Sequence, residues 1–270
     1  MTITPLAGTN QITTALTTLG TTAFGDSETD LYKQLLVALS EGGPWTPADI
    51  ADLAIFFWFK PGVDCCYQNI GGAASGAGNR VGYAAPLFGA SISARVDNIA
   101  FRPTLQSDGL QLDAGGSRFL SFSSQFAATD ITAYWSMIVD SASTVACFAS
   151  DTLEDTLIGG NGDVSIHDNF GIPFASPRTT GAVILGRFNM DEENGNYSMI
   201  STGQSENAGT ETNFGFNFNQ IGGTGAFGSG NDSTANRFRL LIAVKRSIVL
   251  GSAEDLLIRN WISTNDGASL

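Results

Sequence analysis

Two clusters of acidic residues are the first candidates for chemistry in this sequence. Paired carboxylates can act as general acid and general base, and carboxylate oxygens are also the ligands that Ca²⁺ prefers. One cluster lies at 151–155 and the other at 191–193, each among residues typical of turns. Acidic residues in turns are normally solvated, so neither cluster alone predicts a catalytic pair.

Other residue types that could carry chemistry are sparse. His167 is the only histidine, and no serine or cysteine nucleophile motif surrounds it, so the sequence predicts no catalytic triad. The glycine-rich runs lack a following Lys-Ser/Thr and a helix, which excludes a phosphate-binding loop. Cys65, Cys66 and Cys147 have no metal-ligand spacing, and neighbouring cysteines rarely bridge each other because the ring is strained. They are predicted to be buried free thiols in a protein made in a reducing cytoplasm.

The charge of the chain limits its partners. The 270 residues include 13 basic and 26 acidic side chains, which gives a net charge of −13. Such a surface is repelled by phosphate backbones and anionic lipid, so we expect neither a nucleic-acid nor a membrane partner. No apolar stretch is long enough for a membrane span, and the first twenty residues lack the basic and apolar regions of a signal peptide.

The elements that must position any site are mainly strands. Short apolar runs alternate with Gly-, Ser-, Thr- and Asn-rich turns, which predicts about ten strands in antiparallel sheets. The aromatic run 54–60 is predicted to be a core strand, and 69–94 a long loop or a weak hairpin. We also expect the strand at 131–141 to pair with that at 144–151 across a short turn.

Residues 1–43 differ from the rest of the chain. Two short amphipathic helices are predicted here, and neither is long enough to be stable alone. Their apolar stripes form a candidate assembly interface, which consists of Ile12, Leu16, Leu19, Leu31, Leu35 and Leu39. We therefore divide the chain into a helical assembly or anchor segment, 1–43, and a β-domain, 44–270.

Two further helix starts have strong capping signals. Thr46, Pro47 and Asp49 have the spacing of a capping box with proline in the first turn. Near the C-terminus, Ser252 is predicted to cap a helix that carries Asp255 at its third position. We expect Leu256, Leu257 and Trp261 to form the inner face of that helix.

The C-terminal arrangement of a strand, "RFRLLIAVKRSI", and a capped helix, "GSAEDLLIRNWIS", resembles the end of concanavalin A-like lectin/glucanase domains of the laminin-G/pentraxin-like group. The segment "FRPTLQSDGLQLDAGGSRFLSF" (101–122) is similar to the opening of such domains. The strand "ITAYWSMIVDS" resembles another of their strands, with Trp135 packed inside. The resemblance covers about residues 45–265. It implies a mainly β fold, a two-sheet antiparallel jelly-roll sandwich with short N-terminal helices and a C-terminal capping helix.

The resemblance also bears on catalysis and on metal binding. Glucanases of this fold carry an E-x-D-x-x-E strand whose carboxylates flank the scissile bond, and this sequence has no such string. We therefore expect a protein that is not an enzyme and needs no cofactor. Glycan-binding members often hold Ca²⁺ at one rim of the sandwich, for which the candidate ligands here are Asp163, Asp168, Asp191 and Glu192.

Two functions remain compatible with these observations. The first is a structural protein of a tailed bacteriophage virion, a fibre, decoration or baseplate component that presents a lectin-like sandwich. In that case the chain is made in the host cytoplasm, forms a homo-oligomer such as a trimer, and contacts other virion proteins and a host-surface glycan. The second is a bacterial surface or secreted glycan-binding module. The helical segment before the β-domain, and the lysine-poor, Thr/Ser/Gly/Asn-rich composition, favour the first.

Overall fold

A computed structural model describes most of the chain from residue 45 to residue 270. The described residues are 45–87, 90–112, 118–138, 145–149, 156–159, 164–168, 170–171, 181–191, 193–210, 216–222 and 237–270. The predicted helices of residues 1–43, with the candidate assembly interface, lie outside the described residues.

The described residues form strands, two short 3₁₀ helices and one α-helix. The 3₁₀ helices are Pro47–Asp49 and Ile99–Phe101, and helix α1 is Ala253–Asp266. The strands in chain order are β1 (Leu53–Trp58), β2 (Cys66–Tyr67), β3 (Tyr83–Ala84), β4 (Ala94–Arg95), β5 (Thr104–Gln106), β6 (Gly109–Gln111), β7 (Phe119–Ala128), β8 (Ile131–Ile138), β9 (Val145–Ala149), β10 (Thr156–Gly159), β11 (Val164–Asp168), β12 (Phe170–Gly171), β13 (Val183–Asp191), β14 (Asn196–Ser201), β15 (Asn207–Thr210), β16 (Phe216–Gly222) and β17 (Arg237–Val244).

These strands make two antiparallel sheets, which confirms the predicted mainly β sandwich. The eight-stranded sheet has the order β15-β14-β13-β8-β17-β6-β5, with β1 also paired to β17. The nine-stranded sheet has the order β12-β11-β10-β9-β16-β7-β4-β3-β2.

The predicted pairing of 131–141 with 144–151 is wrong. Strand β8 lies between β13 and β17 in one sheet, whereas β9 lies between β10 and β16 in the other. Both edges of β8 are occupied by long partners from distant parts of the chain, so the chain crosses to the second sheet after β8. Closeness in sequence therefore did not decide the pairing.

Aromatic side chains fill the space between the sheets. The rings of Phe57 and Phe122, one from each sheet, lie 6.2 Å apart. Trp135 is buried beside Gly186, where a Cβ atom would overlap the indole ring. Trp135 thus packs inside the sandwich, as the sequence predicted, and Gly186 leaves the space for it.

Helix α1 covers the outer face of the eight-stranded sheet, and all eight residues of β8 are consequently buried. The inner face of α1 differs from the prediction. Leu257 is buried as predicted, but Leu256 and Trp261 are half-buried. The other buried positions follow helical spacing and combine apolar with acidic residues, namely Glu254, Asp255, Ile258, Ile262 and Asp266. Acidic residues are buried on this helix because the sheet beneath it presents arginine, tyrosine and serine side chains, which bind their carboxylates.

Trp261 packs at the rim of this contact. Its ring meets Phe56 at 5.5 Å and Trp58 at 5.3 Å, both edge to face. It is therefore a packing residue, as the sequence indicated.

Both predicted helix caps are present. The Thr46 hydroxyl accepts a hydrogen bond from Ala48 N, and the Asp49 carboxylate accepts one from Thr46 N. Ser252 Oγ accepts a hydrogen bond from Asp255 N at 3.3 Å. The capping residues at these positions thus formed the local structures that their spacing predicts.

Two of the three predicted buried thiols can be placed. Cys65 and Cys66 are free and buried, while the side chain of Cys147 lies outside the described part of the structure. Within the described ranges, no helix combines the length and the apolarity needed to cross a membrane.

Candidate functional site

A row of polar and aromatic side chains runs across four strands of the nine-stranded sheet. The register places Tyr67 of β2 opposite Tyr83 of β3, Tyr83 opposite Arg95 of β4, and Arg95 opposite Ser121 of β7. Directly opposed residues lie on the same face of a sheet. These four residues are called the Tyr-Arg row below.

Burial shows that the row lies on the outer face. The alternate positions on the same four strands point into the core and are buried: Cys66, Ala84, Ala94 and Phe122. In the row itself, Arg95 is exposed and the other three residues are half-buried. The next residue across the sheet, Gln220 of β16, is buried at 9% exposure. The accessible row therefore ends at Ser121 and extends over roughly 14 Å at the usual strand spacing.

The two tyrosines form a pair at the edge of the sheet. Their ring centroids are 6.1 Å apart with an interplanar angle of 41°. The Tyr67 hydroxyl donates a hydrogen bond to the carbonyl oxygen of Asp64 at 3.3 Å. Partial burial and the neighbouring Asp64 carboxylate raise the pKa of Tyr67. Its hydroxyl oxygen can still accept a hydrogen bond.

Arg95 differs from the other arginines of the described residues. Each of the others donates a hydrogen bond to a described carbonyl, hydroxyl or carboxylate oxygen; they are Arg80, Arg102, Arg118, Arg187, Arg237, Arg239, Arg246 and Arg259. Arg95 is exposed and has no such partner within the described ranges. As far as the described residues go, its guanidinium is therefore available to bind an external acceptor.

Arg102 supports the row from the end of the strands. Its guanidinium donates to the carbonyl oxygens of Gln68 at 2.9 Å, Asp97 at 2.9 Å and Val96 at 3.3 Å. Gly82 makes room for it, since a Cβ atom there would lie 2.8 Å from the guanidinium carbon. The segments that follow β2 and β4 are thereby tied together, which stabilises the positions of Tyr67 and Arg95.

A second polar cluster lies under helix α1 and is closed to solvent. One carboxylate oxygen of Asp255 accepts hydrogen bonds from Tyr134 Oη at 2.8 Å and Arg187 Nε at 2.9 Å. The other oxygen accepts from Gly251 N at 2.8 Å and Arg259 Nε at 2.9 Å. Tyr134, Arg187 and Asp255 are fully buried. Burial, and secondly the Asp255 charge, raise the pKa of Tyr134.

The far end of α1 has a similar contact. Asp266 accepts hydrogen bonds from Ser136 Oγ at 2.6 Å and Trp58 Nε1 at 3.3 Å, and it forms an ion pair with Arg239 at 3.3 Å. These carboxylates bind the helix to the sheet.

The predicted calcium ligands are only partly placed. Asp191 ends β13, and its carboxylate accepts hydrogen bonds from Asn194 N at 3.1 Å and Asn194 Nδ2 at 2.9–3.0 Å within the turn to β14. Asp163 and Glu192 lie outside the described residues, and Asp168 is placed only by its backbone in β11. The described part of the chain brings no three His, Cys, Asp or Glu side chains together as a metal site. Calcium binding stays a prediction.

Sequence reasoning missed the Tyr-Arg row. Strands β2, β3 and β4 have two residues each, too few for any alternation to be read. Two of them lie in or beside the segment 69–94, which the sequence predicts to be a long loop or a weak hairpin, and β3 and β4 pair as antiparallel strands there. The available signal was a pair of tyrosines and an arginine in an otherwise Gly/Ala/Ser-rich stretch.

Comparison with known proteins identifies the fold. Trypanosoma rangeli sialidase has a TM-score of 0.52 at 14% identity, over 87% of this chain and 38% of the sialidase. The same sialidase in complex with sialic acid has a TM-score of 0.50 at 12% identity, over 86% of this chain and 39% of the other. Ruminococcus gnavus IT-sialidase CBM40 bound to alpha2,3 sialyllactose has a TM-score of 0.41 at 14% identity, over 56% of this chain and 94% of the other.

The chain thus covers only 38% of the length of the Trypanosoma rangeli sialidase structure whose TM-score is 0.52. No protein-family model and no curated protein sequence matches it. At these identities, the sialidase structures show a shared β-sandwich fold and nothing further.

Proposed function

We propose that this chain is a carbohydrate-binding β-sandwich module and that it binds an acidic glycan on the Tyr-Arg row. The observation that carries the proposal is an exposed arginine, without a partner in the described residues, in register with an accessible pair of tyrosines. The lectin-like resemblance of the sequence supports the same class of ligand.

The tyrosine pair supplies an apolar platform with polar ends. The flat C–H face of a pyranose ring packs well on an aromatic ring, and burying that surface is favourable. The Tyr67 hydroxyl, which donates to the Asp64 carbonyl, can accept a hydrogen bond from a sugar hydroxyl, and the Tyr83 hydroxyl can donate or accept one.

Arg95 selects for charge. A guanidinium presents a planar fork of donors that matches a carboxylate, so a uronic or other acidic sugar is the complementary ligand. Because the chain carries a net charge of −13, the attraction must be local to Arg95 rather than a property of the whole surface.

We further propose that the module is not an enzyme. The three buried carboxylates of α1, on Glu254, Asp255 and Asp266, each form an ion pair with an arginine and serve to bind the helix. The sequence also lacks the E-x-D-x-x-E strand of the glucanases that it resembles.

Calorimetric titration with small glycosides tests the binding proposal. We expect methyl β-D-glucuronide to bind and methyl β-D-glucoside to bind at least tenfold more weakly. Sialic acid, named as the ligand of one similar sialidase, is a second acidic probe. Arg95→Gln should weaken glucuronide binding about 10- to 100-fold, which is the loss of a charge-assisted hydrogen bond, and Tyr83→Ala should weaken both sugars.

Lys60→Gln is the matched control, because it removes an equal charge from an exposed residue beyond β1 of the other sheet. The assignment of the ligand to the Tyr-Arg row would be contradicted by either of two results. One is an unchanged glucuronide affinity in Arg95→Gln, and the other is a loss of glucuronide affinity in Lys60→Gln as large as that in Arg95→Gln.

The setting that we propose for this module is the virion of a tailed bacteriophage, with residues 1–43 as its assembly element. This proposal rests on the sequence of that segment and on composition. Deleting residues 1–43 should leave a folded β-domain with nearly unchanged melting temperature but a smaller mass by light scattering. Leu35→Asp should have the same effect on mass, with Lys33→Asp as its control. An insoluble truncated protein would show instead that the segment belongs to the core of the sandwich.

A further inference from the structure

Exposed apolar side chains lie at the end of the sheet that adjoins the Tyr-Arg row. Three large apolar side chains are exposed here: Ile70 at 61%, Ile99 at 65% and Phe101 at 38%. Phe101 stacks on Phe119 of β7, with ring centroids 5.9 Å apart and an interplanar angle of 26°. These four residues are called the apolar patch.

Sheet geometry places Phe119, and with it the stacked Phe101, on the same face as Arg95. Phe119 precedes Ser121 by two residues on β7, so it shares the outer face with the row. Because β2 and β4 run in one direction and β7 in the other, the segments after β2 and β4 lie at the same end of the sheet as the start of β7. Ile70 follows β2, and Ile99 and Phe101 follow β4.

The patch is held in place by specific contacts. Arg102 ties the two segments together through its bonds to Gln68 and Asp97. Asn98 caps the short helix Ile99–Phe101, since its Oδ1 accepts a hydrogen bond from Ala100 N at 3.0 Å. The exposed apolar side chains therefore belong to an ordered surface, and an ordered apolar surface of this kind favours a ligand.

We propose that the glycan bound at this site carries an apolar substituent, an alkyl or acyl group, which packs on Ile99, Phe101 and Phe119 while the carboxylate of the sugar binds Arg95. This inference rests on the proposed glycan-binding function and specifies its ligand class as an amphipathic acidic glycan. This proposal is supported by the positions of the two surfaces. Arg95 and Phe119 share one face at the same end of the sheet, so one ligand can contact both. A single ligand with both characters thus accounts for both surfaces.

Two glucuronides that differ only in their aglycone test this inference. We expect octyl β-D-glucuronide, used below its micelle concentration, to bind on the order of tenfold tighter than methyl β-D-glucuronide, because burying two methylene groups is sufficient for that gain. Ile99→Ser should reduce the ratio of the two affinities towards one. Phe101→Ser should do the same, with an unchanged melting temperature as the check that β7 is intact. Val249→Ser is the matched control, since Val249 is 72% exposed and lies outside the patch.

The outcomes separate the two proposals. If neither glucuronide binds, the proposed function is wrong. If both bind equally to the unmodified protein, the function stands and the apolar substituent is excluded. If Ile99→Ser preserves the affinity ratio but lowers the mass measured by light scattering, the patch is a contact between copies of the chain, and the inference is overturned.

Discussion

Arg187 and Arg95 lie on the outer faces of the two sheets, yet their surroundings are opposite. Arg187 of β13 is fully buried under helix α1, where it contacts Asp255 and Ser198 and stacks near the Tyr134 ring at 5.7 Å. It also donates to the carbonyl oxygen of Ile248. Arg95 of β4 is exposed and has no partner in the described part of the chain.

The difference follows from what covers each sheet. A polar group removed from water must have its hydrogen bonds satisfied, so the arginine under α1 required acidic and carbonyl partners. The outer face at β2–β4 has no such cover among the described residues, and its arginine can remain solvated. The covered face therefore contributes stability, whereas the open face is available for recognition.

The largest expected effect comes from breaking the covered cluster. Asp255→Asn leaves Arg187 buried without its counter-charge, and it should lower the free energy of unfolding by about 3–5 kcal/mol. Chemical denaturation measures this loss. Asp97→Asn makes the same change at an exposed carboxylate beside the open face and should stay within about 0.5 kcal/mol of the unmodified protein. Similar losses in both variants would contradict the distinction between the faces.

A smaller effect is expected from Tyr134→Phe, which removes one of the hydrogen bonds to Asp255. We expect a loss of about 1–2 kcal/mol near pH 7. Tyr83→Phe, the same change on the open face, should be close to neutral.

The pH dependence of Tyr134 sharpens this comparison. The pKa of Tyr134 is raised in the folded protein above its ordinary value of 10.0. Above about pH 10 the unfolded chain loses this proton first, so stability should fall with rising pH by up to about 1.4 kcal/mol per pH unit. Tyr134→Phe should reduce that slope in denaturation curves measured between pH 9 and 11. An unchanged slope would mean that Tyr134 is not held protonated.

The smallest expected effect on stability is that of Arg95→Gln. Because the Arg95 guanidinium has no hydrogen-bond or ion-pair partner among the described residues, its replacement should change the free energy of unfolding by less than about 0.5 kcal/mol, while it weakens glucuronide binding as described above. A loss of stability comparable to that of Asp255→Asn would show that Arg95 has a structural partner. The arginines of the two faces would then both be paired, which contradicts the comparison.

Local patterns accounted for the parts of the fold that local forces decide. The caps at Thr46 and Ser252 formed because a side chain and a backbone amide two or three residues apart can satisfy each other without help from the rest of the chain. The burial of Trp135 agrees with the resemblance of its strand to those of concanavalin A-like domains, although all eight residues of that strand are buried and show no alternation. The pairing of β8 did not follow, because strand partners come from residues far apart in sequence.

The amino-acid sequence alone determined the mainly β character, the capped C-terminal helix and the lack of an E-x-D-x-x-E string, since each depends on residues close together in the chain. It predicted about ten strands, whereas the described residues form seventeen, because strands of two or three residues leave no readable alternation. Only the tertiary structure decided which arginine is paired and which is open. Tyr67, Tyr83, Arg95 and Ser121 come from four strands separated by loops, and antiparallel pairing alone sets them in one row. Whether such a row is buried or accessible depends on where α1 packs, and it packs on the other sheet because its acidic inner face matches the arginines and hydroxyls there.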